Sequence, residues 1–354
     1  MISCSTKWLD IAFYAECVGF VLSIAANCVL LTVISDKSRK TFGNYKYLMM
    51  AFSVLGIVYS TCNFFSKLNV HITENSFIVF TVLRYSKFNK FLGSIAIGIY
   101  SSCYAMMLSL LAIHFFYRYT SVTAPLYLGS RFSSKSFIFW SLFVVVYSAI
   151  FGCSSYFLCG PTESKDRELA MEFQNSYCLK PEEYAYLGPQ YYYKNMENGE
   201  RLYHAPSFIG IGIQTFLMGS TFIFVIFFGC RTYSVLKENG LTCYASKELQ
   251  KQLFKTLIIQ TIIPTIFMYL PGSIMFYLPV FGVKIETMAN SIPVFVAIYP
   301  CLEPLVAIMC IKSLKLRSSN KTCCSRNRRR KVGVLAASTS NSVALSMQEF
   351  TVAS

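Results

Sequence analysis

The sequence predicts an all-α membrane protein: a seven-transmembrane helical bundle with its N-terminus outside and its C-terminus in the cytoplasm. Three observations carry this. Hydrophobic residues make up 54% of the 354 positions and charged residues only 14%, whereas an ordinary soluble domain is about a quarter charged. Seven stretches are long and apolar enough to cross a hydrocarbon core, which takes roughly 20 helical residues. The basic residues, finally, gather on one side of those stretches. This composition excludes a disordered chain, a collagen-like fibre and a small disulfide-stapled secreted module.

The first stretch, residues 11–35, follows a short and barely charged segment, residues 1–10, with no convincing cleavage site. The cluster Lys37, Arg39, Lys40 and Lys46 comes after it, so it acts as a reversed signal anchor and leaves the N-terminus outside. The next three stretches are 47–66, 93–117 and 136–158. Residues 77–83 are apolar but too short to span. The last three stretches are 207–230, 254–278 and 291–311, the final two bearing prolines that a helix bundle tolerates.

In this topology the cytoplasmic segments, with Lys255 at the inner end of the sixth stretch, hold 21 of the 32 basic residues and 4 acids, a face of +17. The outer segments hold 11 of each sign. The net charge of +15 therefore sets orientation, and nucleic acid is not an expected partner. The weak point is the basic outer loop with Lys67, Arg84, Lys87 and Lys90. The bundle domain covers residues 11–317, and residues 318–354 form a cytoplasmic basic and Ser/Thr-rich tail, expected to be disordered. Its Arg328, Arg329, Arg330 and Lys331 each gain about 1 kcal/mol from the anionic inner leaflet. Cys323 and Cys324 are candidate palmitoylation sites or reduced cytosolic thiols. The outer loop 159–206, acidic and Tyr-rich, reads either as a lid over a cavity or as a variable solvated loop.

Enzymatic signatures are missing. The three histidines, His71, His114 and His204, form no HExxH or Cys/His metal spacing, and no Walker A loop occurs. No catalytic activity, cofactor or metal is expected. Cys159 and Cys178 are candidates for a disulfide within the outer loop, with Cys4, Cys62 and Cys103 as rival partners.

Two acids lie inside spans, where ionisable groups suggest function by default. Glu16 is near the outer end of the first span and reads as reaching the headgroups. Glu303 is deep in the seventh, at a depth matched by Asn27 of the first, so a hydrogen bond between them is geometrically possible; a polar hinge contact is favoured over a proton relay because no chain of acids or histidines leads away from it. Pro300 and Pro304 flank Glu303, while Pro264 and Pro271 lie seven residues apart on one face of the sixth span. Each removes a helix hydrogen bond and favours a kink, so these residues form a candidate hinge for a two-state switch.

Four motifs occur in order at the span ends: Gly43-Asn-Tyr-Lys-Tyr-Leu-Met49, His114-Phe-Phe-Tyr-Arg-Tyr119, Gln260-Thr-Ile-Ile-Pro264 with Leu270-Pro271, and Tyr299-Pro-Cys-Leu-Glu-Pro304. Together they resemble the nematode serpentine chemoreceptors of the Str superfamily (class r and its near relatives), seven-helix G-protein-coupled receptors of chemosensory neurons. The resemblance implies a plasma-membrane receptor, placed in a sensory cilium, with a small odorant or soluble cue and a heterotrimeric G protein as partners. It implies that Tyr117, Arg118 and Tyr119 occupy the place of the Asp-Arg-Tyr triplet of rhodopsin-like receptors, with Arg118 where the G protein docks. Tyr117 replaces the acid of that triplet, and the second span has no charged residue for a rhodopsin-like sodium site. Glu303-Pro304 stands where the family commonly has Asp-Pro. By the same analogy the ligand enters among the third, fifth, sixth and seventh spans, with Tyr100, Tyr104, Gln214, Tyr269, Ser273 and Phe295 as candidate contacts. A multi-span transporter or ligand-gated channel is the alternative reading, disfavoured by the absence of inverted repeats and paired intramembrane charges.

Overall fold

A computed structural model describes residues 4–37, 45–124, 132, 134–194, 200–237, 254–255 and 257–309. Helices long and apolar enough to cross a membrane cover Lys7–Ser35, Tyr45–Ser66, Lys90–Thr123, Ser136–Leu158, Ala205–Lys237, Leu257–Phe281 and Thr287–Met309; they are numbered first to seventh in chain order. Several run past the apolar stretches because backbone hydrogen bonding continues into the polar flanks. Residues 1–307 form one compact unit; the chain beyond Ala307 groups by itself, and only its residues 308–309 are described. Cys323, Cys324, the polybasic run and most of the loop after the fifth span lie outside the described residues.

The third span runs through the middle of the core, burying Met107, Leu108, Leu111 and Phe115 among others. Around the bundle the apolar side chains point outward: Phe157 and Phe216 are each 74% exposed, and Ile138 is 69% exposed. Water does not tolerate so much continuous apolar surface; a bilayer does. This is a multi-pass membrane protein.

One end of the bundle carries a small sheet. Strands β1 (Leu68–Ile72) and β2 (Phe77–Val82) form a hairpin between the second and third spans. Strand β3 (Tyr184–Leu187), from the long loop, pairs antiparallel with β2, giving the order β1-β2-β3. The apolar stretch 77–83, too short to span, thus supplies a central strand over Phe77–Val82, nearly all buried, which explains an apolar run without alternation. Over its described residues the long loop, here termed the lid, is folded and packed against this end of the bundle rather than solvated. It opens with a helix, Glu163–Tyr177, capped by Thr162, whose Leu169, Phe173 and Tyr177 pack under Phe80 and Tyr184. A second hairpin, β4 (Tyr192–Lys194) with β5 (Arg201–Tyr203), follows.

The disulfide joins Cys4 to Cys178, Cα atoms 5.5 Å apart, and the Cys159–Cys178 expectation is corrected. The chain between those two cysteines contains a helix of 15 residues, about 22 Å long at 1.5 Å per residue, far beyond disulfide reach. Cys159 is a free, buried thiol, and burial pushes it up to about 12. Cys62 and Cys103 are also free thiols, with their sulfurs 3.8 Å apart. Glu16 is corrected as well. It is buried rather than at the headgroups, and Oε1 accepts the backbone N–H of Leu68 at 3.0 Å. It thereby tethers the start of β1 to the first span.

Candidate functional site

The lid is fastened to the bundle by buried polar groups. Lys165 is 1% exposed, and its Nζ donates to the carbonyls of Cys159 (3.3 Å), Gly160 and Gly188 (2.9 Å). One ammonium thus closes the end of the fourth span onto the chain leaving β3. Burial lowers this lysine from 10.5 to about 8. The unfolded chain therefore holds the proton more tightly, so this group makes stability rise with pH between about 8 and 10.5. Lys165→Met is expected to flatten that part of a Tm-versus-pH series; an unchanged slope would assign it to another group.

A second fastening reaches the seventh span. Asn290 donates to the Tyr177 hydroxyl at 2.8 Å, which contacts His71 Nδ1 at 3.0 Å, while His71 Nε2 lies 3.3 Å from Glu172. With Asn290 as donor, the Tyr177 O–H donates to Nδ1, and the His71 Nε2–H faces the carboxylate. That hydrogen bond holds Glu172 below the usual carboxylate value. Tyr191 ties the lid to the sixth span, its hydroxyl donating to the Phe276 carbonyl at 2.7 Å.

Within the bundle the candidate ligand contacts divide. The Tyr100 hydroxyl lies 2.6 Å from that of Tyr59 on the second span. Tyr104 donates to the Met268 carbonyl at 3.1 Å, and Tyr269 meets Thr221 of the fifth span at 3.0 Å. Gln214 is buried against the fourth span, donating to Ser154 (3.3 Å) and Ser155 (3.1 Å). Ser273 is half-buried. Phe295 faces outward, 51% exposed, against Phe267, and does not join this group. The Tyr104 contact falls within a π-helical turn, Thr265–Tyr269, between Pro264 and Pro271. Neither proline supplies an N–H, and the wider turn is a known response to such breaks. Gly272 admits the tyrosine; a Cβ there would sit 2.9 Å from its hydroxyl.

Farther from the sheet, the first, second and seventh spans meet in a polar knot. Asn27 does not make the possible bond to Glu303. Its Nδ2 donates to the Pro300 carbonyl at 3.1 Å and to Ser23 of its own helix. The reason is local: residue 304 is proline, so the Pro300 carbonyl lacks its helical N–H donor. Asn27 replaces it, and the seventh helix continues unbroken through both prolines. Ser60 joins through Ser23 Oγ at 2.6 Å, and Gly56 leaves the space, because a Cβ would stand 3.2 Å from the Asn27 amide.

At the end opposite the sheet, Arg118 is 4% exposed with its guanidinium 3.5 Å above the Tyr45 ring. Its Nε has no hydrogen-bond partner among the described residues. Tyr117 packs between Tyr45 and Phe132; Tyr119 contacts Phe228 of the fifth span. In the sequence Tyr45 is one residue of the motif that enters the second span. No linear signal marks it as the partner of Arg118, because the pairing joins two helices.

Against known proteins, residues 12–317 match the family model described as serpentine type 7TM GPCR chemoreceptor Str. The chain is 33% identical over 321 residues to serpentine receptor class r-10 of Caenorhabditis elegans, covering 90% of this chain and 93% of that one. It is 30% identical to the class r-10 receptor of Caenorhabditis briggsae, with 87% and 89% covered. Squid rhodopsin shares the fold at a TM-score of 0.58 and 10% identity, over 86% of this chain and 83% of that one. The seven-span bundle, the motifs at the span ends and this similarity along nearly the whole length agree: the chain belongs to the Str family of serpentine seven-transmembrane G-protein-coupled chemoreceptors.

Proposed function

We propose that this receptor binds a small-molecule cue, an odorant or a soluble compound, from the sheet end and activates a heterotrimeric G protein at the Arg118 end. In this reading the sheet and N-terminus are extracellular and the tail is cytoplasmic, its basic residues against anionic lipid and Cys323 and Cys324 open to acylation. The disulfide at the sheet end supports that orientation, since such bonds persist in oxidising surroundings. The family supports placement in the plasma membrane of a sensory neuron, at its cilium.

The observation that carries the reading is the Tyr104 bond to the π-helical turn of the sixth span. A ligand wedged between the third, fifth and sixth spans competes with the Tyr104 and Tyr269 hydroxyl contacts, and Pro264 and Pro271 let the sixth span respond. Tyr117, Arg118 and Tyr119 then form the coupling surface. Ligand binding selects that form because it binds it more tightly.

The test is expression in a heterologous cell, a panel of volatile and water-soluble cues, and a second-messenger readout. A saturable response to at least one cue is expected, with its half-maximal concentration raised by Tyr104→Phe. A cue-dependent ion current in liposomes that contain no G protein would overturn this reading in favour of a channel.

A further inference from the structure

Cys62 of the second span and Cys103 of the third are free thiols whose sulfurs lie 3.8 Å apart, the Cys103 S–H directed at Cys62. Each stands three residues after a tyrosine, in Tyr59-Ser-Thr-Cys62 and Tyr100-Ser-Ser-Cys103, so on each helix the thiol and the phenol share a face. The two phenols also meet. Their rings stack with centroids 5.1 Å apart, and their hydroxyls are 2.6 Å apart. Four side chains thus bring the two helices together, and two of them can form a covalent bond.

Other free thiols are placed differently. Cys17 Sγ accepts from the Lys67 ammonium, and Cys301 donates to the Ile298 carbonyl of its own helix. Two thiols alone fall short of the four ligands of a structural zinc, and no group of three His, Cys, Asp or Glu residues suits a metal among the described residues. The chemistry that two facing thiols complete by themselves is oxidation. A disulfide needs the sulfurs at about 2.05 Å, so they must close by about 1.8 Å. Turning the side chains about their Cα–Cβ bonds covers that distance. Exposure separates the two roles. Cys103 is 6% exposed, whereas Cys62 is half-buried and lies one turn from the end of its helix at Ser66, so an oxidant meets Cys62 first.

We propose that Cys62 and Cys103 are a redox modification site, oxidised by a hydroperoxide to a disulfide that joins the second span to the third. The Cys62 sulfur, giving up its proton, attacks the terminal peroxide oxygen. The O–O bond breaks, and the other oxygen takes that proton and leaves as an alcohol, or as water from hydrogen peroxide. The Cys103 sulfur then displaces the hydroxyl of the Cys62 sulfenic acid, which leaves as water with the Cys103 proton. The two sulfurs lose two electrons and the peroxide gains them. The product ties the helices beside the Tyr59–Tyr100 contact, and it forms without cue or G protein.

The experiment treats the purified full chain in lipid nanodiscs with hydrogen peroxide or, separately, with a phospholipid hydroperoxide in the bilayer. Remaining thiols are alkylated, and the chain is mapped by non-reducing peptide mass spectrometry. A peptide pair joined through Cys62 and Cys103 is expected after treatment and lost on reduction. The peroxide that forms it, from water or from the bilayer, identifies the source of the oxidant. Cys103→Ala is expected to leave a Cys62 sulfenic acid that dimedone labels, and Cys62→Ala to abolish the link and leave Cys103 unlabelled. The wild-type map decides the matter even if a variant does not fold. No joined pair with either peroxide would overturn the proposal, as would Cys62 joined to a different cysteine. A link already complete before treatment would make the bond structural and also overturn it.

Discussion

Arg118→Ala is expected to reduce the second-messenger response to a saturating cue at least about tenfold, with the purified receptor still folded. The guanidinium is the only group at that end of the third span able to make forked polar contacts to a partner carbonyl or carboxylate. In the present arrangement it is withheld, buried over Tyr45 at 3.5 Å. Among the described residues no carboxylate pairs with this arginine, and the Tyr45 ring is what holds it. A cation–π contact of this kind is worth about 0.5–2 kcal/mol. Tyr45→Leu should therefore raise basal signalling by about 2- to 30-fold through the population of the released form. Basal signalling unchanged in Tyr45→Leu would remove the ring as a lock. A full response in Arg118→Ala would count against the coupling site itself.

Asn27→Ala should destabilise the receptor by roughly 1–3 kcal/mol, because the Pro300 carbonyl is then buried without a donor. The explanation has a specific check. Pro304→Ala restores the N–H that the helix lacks, so Asn27→Ala should cost far less in that background than in the wild type. Thermal unfolding of the two single variants and the double variant measures the coupling directly. Additive losses would show that Asn27 stabilises through Ser23 and Ser60 alone, not through the proline-freed carbonyl.

Much of this molecule is legible in one dimension. Seven spans, their approximate ends and the short apolar run that cannot span follow from length and apolarity, since the backbone must satisfy itself in lipid. The prolines announce breaks in hydrogen bonding before any coordinates exist. Where the freed carbonyls find donors is another matter. Glu303 and Asn27 share a depth, and that left a bond between them open; the carbonyl of Pro300, freed by Pro304, takes the amide instead. The lid was the least readable part. Phe77–Val82 and Tyr184–Leu187 lie about a hundred residues apart and become neighbours only through the sheet.

By itself, then, the sequence determined the bundle, the placement of charge along the chain, the family motifs and the helix positions that lack an N–H. Tertiary structure alone decided that Cys178 bonds Cys4, that Lys165 holds three carbonyls, that Arg118 rests on Tyr45, and that Cys62 and Cys103 face each other. The physical reason is the range of the forces involved. Hydrophobic length and backbone hydrogen bonding act within one helix, whereas a buried polar group takes whichever partner packing brings within about 3 Å.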